Sequence, residues 1–150
     1  MNNTLFPSLP NETAALNGVV VLDFSHVIAG PFATYYLAAL GARVIKVENP
    51  LRGDSMRAKS HTFESLNHSK EIVSIDLSTP EGQTQAWALF AQANVVVDNM
   101  RPGVLDKFGF GEAALREKKP DLIHCSISGY GRRGAWAGRP TYDHVIQAAS

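Results

Sequence analysis

The sequence has 150 residues, and its 14 basic and 14 acidic side chains give a formal net charge of zero at pH 7. No global field therefore favours nucleic acid or an anionic membrane as a partner. A hydrophobic content of 45% is ordinary for a soluble globular protein, and the length suffices for one domain with a real core. Cys125 is the only cysteine, which excludes an internal disulfide framework and fits a reducing, cytoplasmic compartment.

Two segments bear on targeting and membrane insertion. Residues 1–17 form an N-terminal tail that lacks the basic and long apolar regions of a signal peptide. Residues 24–42 carry no charge, but the polar side chains, glycine and proline among them disfavour a transmembrane helix. We therefore expect a buried helix preceded by a turn in this window, and no association with a membrane.

The pattern of residues 18–50 predicts a strand, a tight turn, a helix and a second strand. The first strand is the apolar run 19–22, which is typical of a strand buried on both faces, and the second is expected at 44–47. Between them, Gly30 is expected to cap a helix with Pro31 in its first turn, and Gly41 is expected to end it. The side chains that recur at helical spacing, and so predict its apolar side, are Phe32, Tyr35, Tyr36 and Leu40.

The rest of the chain continues to alternate between strands and helices. The polar segment 49–70 predicts a long surface loop. Further strands are expected at 72–77, 95–97 and 121–128, and further helices from Thr79, around 104–108, at 112–118 and after a cap at Thr141 or Asp143. This alternation predicts an α/β fold, a Rossmann-like parallel sheet with flanking helices.

Ligands of such sheets bind beyond the carboxyl ends of the strands, which is where the turn Ser25–Pro31 is expected. In this turn, His26 is either a site residue or a residue that packs the turn. Glu48, at the end of the second strand, either contacts a ribose or is a solvated carboxylate. His124 lies inside the fifth strand, where a core or edge histidine is more common than a ligand.

Several functional classes lose their main sequence support. No G-x-G-x-x-G motif follows the first strand and no P-loop motif occurs, which disfavours a dinucleotide dehydrogenase and a P-loop NTPase. The five histidines lack metal-ligand spacing, so no metal site is expected. Ser25 precedes His26, but no G-x-S-x-G motif surrounds the serine, and a hydrolase triad is therefore weakly supported.

Two pairs of cations follow strand ends. Arg101 and Lys107 come after the fourth strand and beside a predicted helix start, so they form either a phosphate site or a solvated pair. Arg132 and Arg133 follow the fifth strand within a glycine-rich segment, where solvated charges are the more common outcome.

Ordered segments of the chain resemble the class III (family III) CoA-transferases from about Leu16 to Ser150. The carrying segments are VLDFSHVIAGPFATYYLAALGARVIKVE, SLNHSKEIVSIDLSTPEG, VVVDNMRPGVLDKFG, ISGYG and RPTYDHVIQAAS. The resemblance implies that residues 18–150 are the incomplete large domain of a CoA-binding enzyme, with a smaller second domain later in the sequence. It also implies a homodimer of two interlocked chains.

The resemblance further implies where CoA or acyl-CoA binds as a substrate, with no tightly bound cofactor. The acyl and thioester region would be lined by His26, Val27, Ile28, Ala29, Ser128, Gly129 and Tyr130. The adenosine would lie near Asn49, where many relatives have arginine, and the adenine would be packed by Ile75, Asp76, Leu77 and Ser78. The ribose and phosphates would be held by Asn99, Met100, Arg101 and Lys107.

The family mechanism implied by this resemblance is covalent transfer of CoA from an acyl-CoA to a carboxylic acid, through an aspartyl anhydride and an aspartyl-CoA thioester. The nucleophilic aspartate is expected shortly beyond Ser150, so this chain by itself is expected to be inactive. Asp143 would cap or position, not attack. We also expect the isolated chain to expose apolar surface and to associate.

Two alternatives remain open at the level of the sequence. The α-methylacyl-CoA racemases of the same superfamily would have histidine where this chain has Tyr142. Tyr142 therefore favours a transferase, although His144 lies close by. The other alternative is a non-catalytic module for CoA binding or assembly.

Overall fold

The computed structural model describes residues 14–150. In this part of the chain one five-stranded parallel sheet contains β1 (Val20–Asp23), β2 (Arg43–Glu48), β3 (Glu71–Ser74), β4 (Val95–Asp98) and β5 (Ile123–Ser126). The strand order β3-β2-β1-β4-β5 places the reversal of winding between β1 and β4. The predicted α/β fold is confirmed, and its ligand-binding edge is expected at this reversal.

The helices cover both faces of the sheet. They are α1 (Ala29–Ala39), α2 (Ser60–Asn67), α3 (Pro80–Gln92), α4 (Val104–Lys107), α5 (Glu112–Lys118) and α6 (Asp143–Ala149), with a 3-10 turn at Ser55–Ala58. The prediction of a surface loop at 49–70 is therefore wrong. This segment contains a 3-10 turn and a helix, and its many charged residues give no apolar pattern that would predict them. Part of the predicted N-terminal tail, residues 1–13, lies outside the described residues.

The core consists of two apolar layers separated by the sheet. Along β1, Val21 faces the layer that includes Leu37 and Ala38 of α1, whereas Leu22 faces the layer that includes Phe90 of α3 and Leu115 of α5. Successive side chains of a strand point to opposite faces, so one apolar run fills both layers. The buried strands thus match the apolar runs from which they were predicted.

Helix α1 turns a different side to the sheet than its apolar spacing predicts. Its buried residues are Gly30, Pro31 and Thr34, whereas Phe32 and Tyr36 remain about half exposed. Small side chains allow the helix to approach the sheet closely, and the large ones are left outside. The predicted apolar side, Phe32, Tyr35, Tyr36 and Leu40, is therefore wrong as a core face.

The structure corrects the predicted N-terminal caps of α1 and α6. It confirms the predicted end of α1 at Gly41 and the predicted cap of α3 at Thr79. Gly30 lies inside α1, whose N-cap is Ile28. Helix α6 has no side-chain cap from Thr141 or Asp143. Gly41, with φ at 99°, follows the end of α1 as expected for a glycine in the left-handed region. At α3, Thr79 Oγ1 accepts a hydrogen bond from the Gly82 N–H at 3.0 Å, as its capping position predicts.

Candidate functional site

A groove of about 420 Å³ opens at the carboxyl edge of the sheet, beyond the ends of β1 to β4. We call it the carboxyl-edge groove. Its lining residues are Phe24, His26, Val47, Glu48, Asn49, Leu51, Arg52, Ile75, Asp76, Leu77, Ser78, Met100 and Phe108. The groove thus collects the chain directly after four neighbouring strands, where parallel sheets bind ligands.

The floor of the groove is apolar. Phe24, Val47, Ile75 and Leu77 are all buried, and Phe24 stacks on Phe90 of the core with ring centroids 5.4 Å apart. This stacking makes the floor continuous with the packed interior, so it is rigid. Such a surface suits a flat ring system, because aromatic and aliphatic walls give dispersion contacts without a polar penalty.

The turn after β1 has a strained backbone at one wall of the groove. Val27 has φ at 69°, a left-handed conformation that is costly for a β-branched residue. The Val27 N–H donates to both carboxylate oxygens of Asp54, at 3.2 and 3.3 Å. Strain of this kind costs roughly 1–3 kcal/mol and persists only where surrounding contacts impose it. The turn is therefore held in shape by residues far from it in sequence.

Asn99 fixes the same turn from the other side. Its side-chain Oδ1 accepts the His26 N–H at 2.9 Å, and its Nδ2 donates to the His26 carbonyl at 2.7 Å. The amide of Asn99 is thus paired with both backbone groups of His26. In the structure this side chain shapes the wall, and its expected contact with ribose or phosphate stays a prediction.

A buried lysine completes the support of the turn. The Lys46 ammonium donates to the Ser25 carbonyl at 2.6 Å and lies 3.1 Å from Asp54 Oδ2. Burial alone would raise the pKa of the Asp54 carboxyl, but the Met56 N–H, the Lys46 charge and the Val27 N–H lower it. Asp54 is therefore ionised at neutral pH and holds two separate segments at once.

A second buried charge pair lies behind the first. Lys70 Nζ is 2.9 Å from Asp23 Oδ2 and also contacts Thr34 Oγ1 at 2.7 Å and the Pro31 carbonyl at 2.9 Å. Burial opposes ionisation of Asp23, but the Lys46 and Lys70 charges and hydrogen bonds from hydroxyls lower its pKa. The pair ties α1 to the sheet and to the end of α2, and so fixes the helix that begins beside His26.

This network was not predicted from the sequence, although the sequence contains a signal for it. Lys46 lies within the strand predicted at 44–47, and the strands of a parallel sheet are commonly buried on both faces. A lysine in such a strand requires a buried partner, because an unpaired charge in the interior is too costly. The partner, Asp54, lies in the segment that we treated as a surface loop.

His26 lies half-buried at the end of β1 and lines the groove. Burial and then the Lys46 charge lower the pKa of its imidazole from the ordinary value of 6.5. His26 is therefore neutral at physiological pH, so it offers a hydrogen bond and no fixed charge to a ligand. Its position agrees with the predicted site, and its backbone also packs the turn.

Of the two alternatives for Glu48, the structure contradicts the solvated carboxylate, and the ribose contact stays a prediction. It is buried, and Arg57 pairs with it through two hydrogen bonds of 2.7 and 3.0 Å. Its Oε2 also accepts the Asp54 N–H at 3.1 Å. Glu48 therefore holds the 3-10 turn in place and is not a solvated carboxylate.

The predicted site residues divide into those that reach the groove and those that do not. His26, Asn49, Ile75, Asp76, Leu77, Ser78 and Met100 line it. Val27 and Ile28 lead from His26 into α1, which begins at Ala29, and Ile28 is about half exposed. Arg101 and Lys107 lie between the lining residues Met100 and Phe108 but do not line the groove. The four residues of α4 offer little of the helix dipole that we expected for phosphate.

Ser128, Gly129 and Tyr130 lie away from the groove lining, past the end of β5. A Cβ on Gly129 would overlap Thr141 and Ile146, so the glycine allows α6 to pack closely against this segment. Tyr130 makes an edge-to-face contact with Trp136. This segment therefore forms a surface against which α6 packs.

His124 makes a close polar contact at the β5 edge of the sheet, where it was predicted to be a core or edge histidine. Its Nε2 lies 2.7 Å from Asp98 Oδ2, and the other carboxylate oxygen of Asp98 accepts the Met100 N–H at 3.0 Å. A second cavity of about 270 Å³ is bordered by His124, Ser126, Arg116 and Arg132. Arg132 thus borders a cavity separate from the carboxyl-edge groove.

The chain belongs to CoA-transferase family III, whose model matches residues 16–150. It is 37% identical to a succinate–glutarate CoA-transferase of Agrobacterium fabrum, over 95% of this chain and 39% of that protein. It is 39% identical to human succinyl-CoA:glutarate CoA-transferase, over 93% and 34% of the two chains. A formyl-CoA:oxalate CoA-transferase of Afipia carboxidovorans is 42% identical over 89% and 33%. The chain therefore spans between about a third and two fifths of the length of these relatives.

Solved structures agree with this family and with the fold. A CAIB/BAIF family protein from Brucella suis matches with a TM-score of 0.87 at 36% identity, over 91% of this chain and 39% of that one. A hypothetical protein from Mycobacterium tuberculosis matches with a TM-score of 0.85 at 38% identity, over 89% and 39%. Between residues 14 and 150, no helix has the length and apolar character needed to cross a membrane.

Proposed function

We propose that the complete protein is a CoA-transferase that moves CoA from an acyl-CoA thioester to a carboxylic acid. The observation that carries this proposal is the carboxyl-edge groove, which lies inside the region matched by the family model. Its apolar floor and polar rim suit a nucleotide-containing thioester better than a small free acid. CoA is a substrate in this proposal and not a resident cofactor.

The described residues contribute binding and shape. The adenine ring is assigned to the apolar floor around Ile75 and Leu77, with Phe24 beneath it. The thioester end is assigned to the wall formed by His26 and the turn that follows it. Asn99 and Asp54 support this assignment, because their hydrogen bonds fix the backbone of that wall before any ligand arrives. A preformed wall avoids the cost of ordering a loop on binding.

The proposed chemistry proceeds through a carboxylate of the complete protein, an aspartate expected beyond Ser150. The carboxylate attacks the acyl carbon and expels CoA thiolate, which leaves a mixed anhydride. The thiolate then attacks the aspartyl carbonyl, releases the donor acid and forms an aspartyl-CoA thioester. The acceptor acid repeats the two steps in reverse, so that CoA leaves on the acceptor and the aspartate is restored.

The acyl groups are proposed from the relatives. Those relatives are named for succinate, glutarate, formyl-CoA and oxalate, all short carboxylic acids or their thioesters. We therefore propose a short dicarboxylate as acceptor.

A homodimer is part of the proposal. Large apolar side chains in α1 and at its two caps are about half exposed, namely Ile28, Phe32, Tyr36 and Leu40. Exposed apolar side chains that cluster on one helix are typical of surfaces that an assembly covers. The exposure of these side chains is the observation that supports the homodimer. It also agrees with the expectation that the isolated chain associates.

The direct test is a transfer assay with the complete gene product. We expect it to convert succinyl-CoA and a second dicarboxylate into the exchanged thioester, with ¹⁸O from the labelled acceptor appearing in the released donor acid. Residues 1–150 alone are expected to give no turnover. Exchange of an α-proton with deuterated solvent, without CoA transfer, would instead indicate a racemase. CoA binding without either reaction would indicate a binding module.

A further inference from the structure

We propose that Arg52 holds a phosphate group of CoA at the rim of the carboxyl-edge groove. This inference rests on the proposed function, because it assumes that CoA occupies that groove. The sequence analysis did not select Arg52, since it lies in a segment that predicted only a surface loop. Its place at the groove becomes visible only when β2 and the segment after β3 are brought together.

The backbone that carries Arg52 is fixed. Asn49 Oδ1 accepts the Leu51 N–H at 3.0 Å and the Arg52 N–H at 3.2 Å, and the Gly53 N–H donates to the Asn49 carbonyl at 2.9 Å. This closed turn directly follows β2. The Arg52 side chain therefore starts from a defined point at the groove, although the side chain itself is exposed.

The charges around the groove single out Arg52. The Glu48 carboxylate is paired with Arg57, and the Asp76 carboxylate accepts hydrogen bonds from the Ser78 N–H and hydroxyl at 3.0 and 2.6 Å. His26, the other basic residue in the lining, is held neutral by burial, which lowers its pKa. Arg52 is thus the cation of the groove lining.

The guanidinium of Arg52 is also available for a ligand. None of the ion pairs formed among residues 14–150 involves it. A guanidinium presents a planar fork of donors that matches two phosphate oxygens at once. The two cations that we first assigned to phosphate, Arg101 and Lys107, do not line the groove. We therefore assign the phosphate contact to Arg52 instead of Arg101 and Lys107.

CoA offers two sources for this phosphate chemistry, the 3′-phosphate of its ribose and its pyrophosphate. We would measure the affinity of the complete gene product for CoA and for 3′-dephospho-CoA by calorimetry. The variants are Arg52→Gln, Arg52→Lys and the control Arg43→Gln. Arg43 is also an exposed arginine, but it begins β2 at the opposite edge of the sheet and pairs with Glu71.

We expect Arg52→Gln to weaken CoA binding by roughly tenfold or more, the size of a lost charge-assisted hydrogen bond. Arg52→Lys should fall between it and the wild type, and Arg43→Gln should bind CoA as the wild type does. A loss confined to CoA assigns Arg52 to the 3′-phosphate. An equal loss for both ligands, with an unchanged melting temperature, assigns it to the pyrophosphate.

The proposal is overturned if Arg52→Gln binds both ligands with wild-type affinity, or if Arg43→Gln loses as much affinity as Arg52→Gln. These results leave the proposed function intact, because the wild type still binds CoA. A wild-type protein that binds neither ligand would instead overturn the proposed function. Because Arg52 is exposed, its replacement should leave the fold unchanged, and matched melting curves of the variants check this directly.

Discussion

Lys46 Nζ lies 3.1 Å from Asp54 Oδ2, and neither side chain has exposed surface. The pair joins the middle of the sheet to the 3-10 turn, and each partner also holds the turn after β1. Lys46 does so through the Ser25 carbonyl and Asp54 through the Val27 N–H. A buried ion pair thus shapes one wall of the candidate site.

Breaking this pair from one side should destabilise the protein strongly. We expect Asp54→Asn to lower the free energy of unfolding by about 3–5 kcal/mol, because it removes the carboxylate that contacts the buried Lys46 ammonium. Urea denaturation of the complete gene product measures the change. The matched control is Glu71→Gln, which breaks the exposed Arg43–Glu71 pair and should leave the free energy of unfolding nearly unchanged, because solvent screens such a pair. Equal losses in the two variants would contradict a structural role for the buried pair.

Gly30 should not tolerate even a methyl group. A Cβ at this position would overlap the Cβ and Oγ of Ser25, so α1 would have to move away from the strand end. We expect Gly30→Ala to destabilise by about 1–3 kcal/mol despite the better helix propensity of alanine. Gly138→Ala is the control, since a Cβ added there would meet no other atom within 4 Å. Thermal melting that ranks the two variants in the reverse order would refute the close approach.

Removing the Asn99 amide should loosen the wall without unfolding the sheet. We expect Asn99→Ala to leave the His26 N–H and carbonyl without partners and to cost about 1–3 kcal/mol locally. Hydrogen–deuterium exchange of a peptide covering residues 24–30 should become faster. Asn94→Ala is the control, because Asn94 holds the Val20 N–H at the other end of β1. Unchanged exchange in Asn99→Ala would show that Asp54 and Lys46 suffice to fix the turn.

The free energy of unfolding should decrease in two steps as the pH is lowered. The pKa of His26 is lower in the folded state than its ordinary 6.5, so the unfolded chain takes up its proton first. This contribution is present above about pH 6.5 and is lost as the pH falls through the folded pKa. The pKa values of Asp23 and Asp54 are also lowered, so their contribution begins to be lost as the pH falls below their ordinary 3.8.

The variant His26→Gln isolates the first step. We expect the melting temperature of the wild type to drop between about pH 7.5 and about pH 5.5, and the drop to be smaller in His26→Gln because glutamine has no proton to bind in this range. His61→Gln, a change of an exposed histidine, is the control. Identical drops in the wild type and in His26→Gln would show that His26 titrates normally in the folded protein.

Much of the fold was predictable because strand burial and helix caps are local signals. The runs around Val21, Val44 and Val96 predicted buried strands, and Thr79 predicted the start of α3, since each signal depends only on neighbouring residues. Helix α2 was missed because its sequence is polar and its buried face is narrow, with Phe63 and Asn67 as the buried residues. The apolar side of α1 was wrong because spacing shows which residues share a side, but not which side meets the sheet.

The sequence by itself determined the family, the alternation of strands and helices, and the edge at which a ligand is expected. Only the tertiary structure decided which of the polar side chains, each of which could contact a ligand or support the fold, have a supporting contact within the protein. Asn99, Glu48 and Asp54 have the same donors and acceptors in either role, so their chemistry does not distinguish the roles. The partner does, and Asn99 meets His26, Glu48 meets Arg57 and Asp54 meets Lys46 only after residues distant in sequence have packed together.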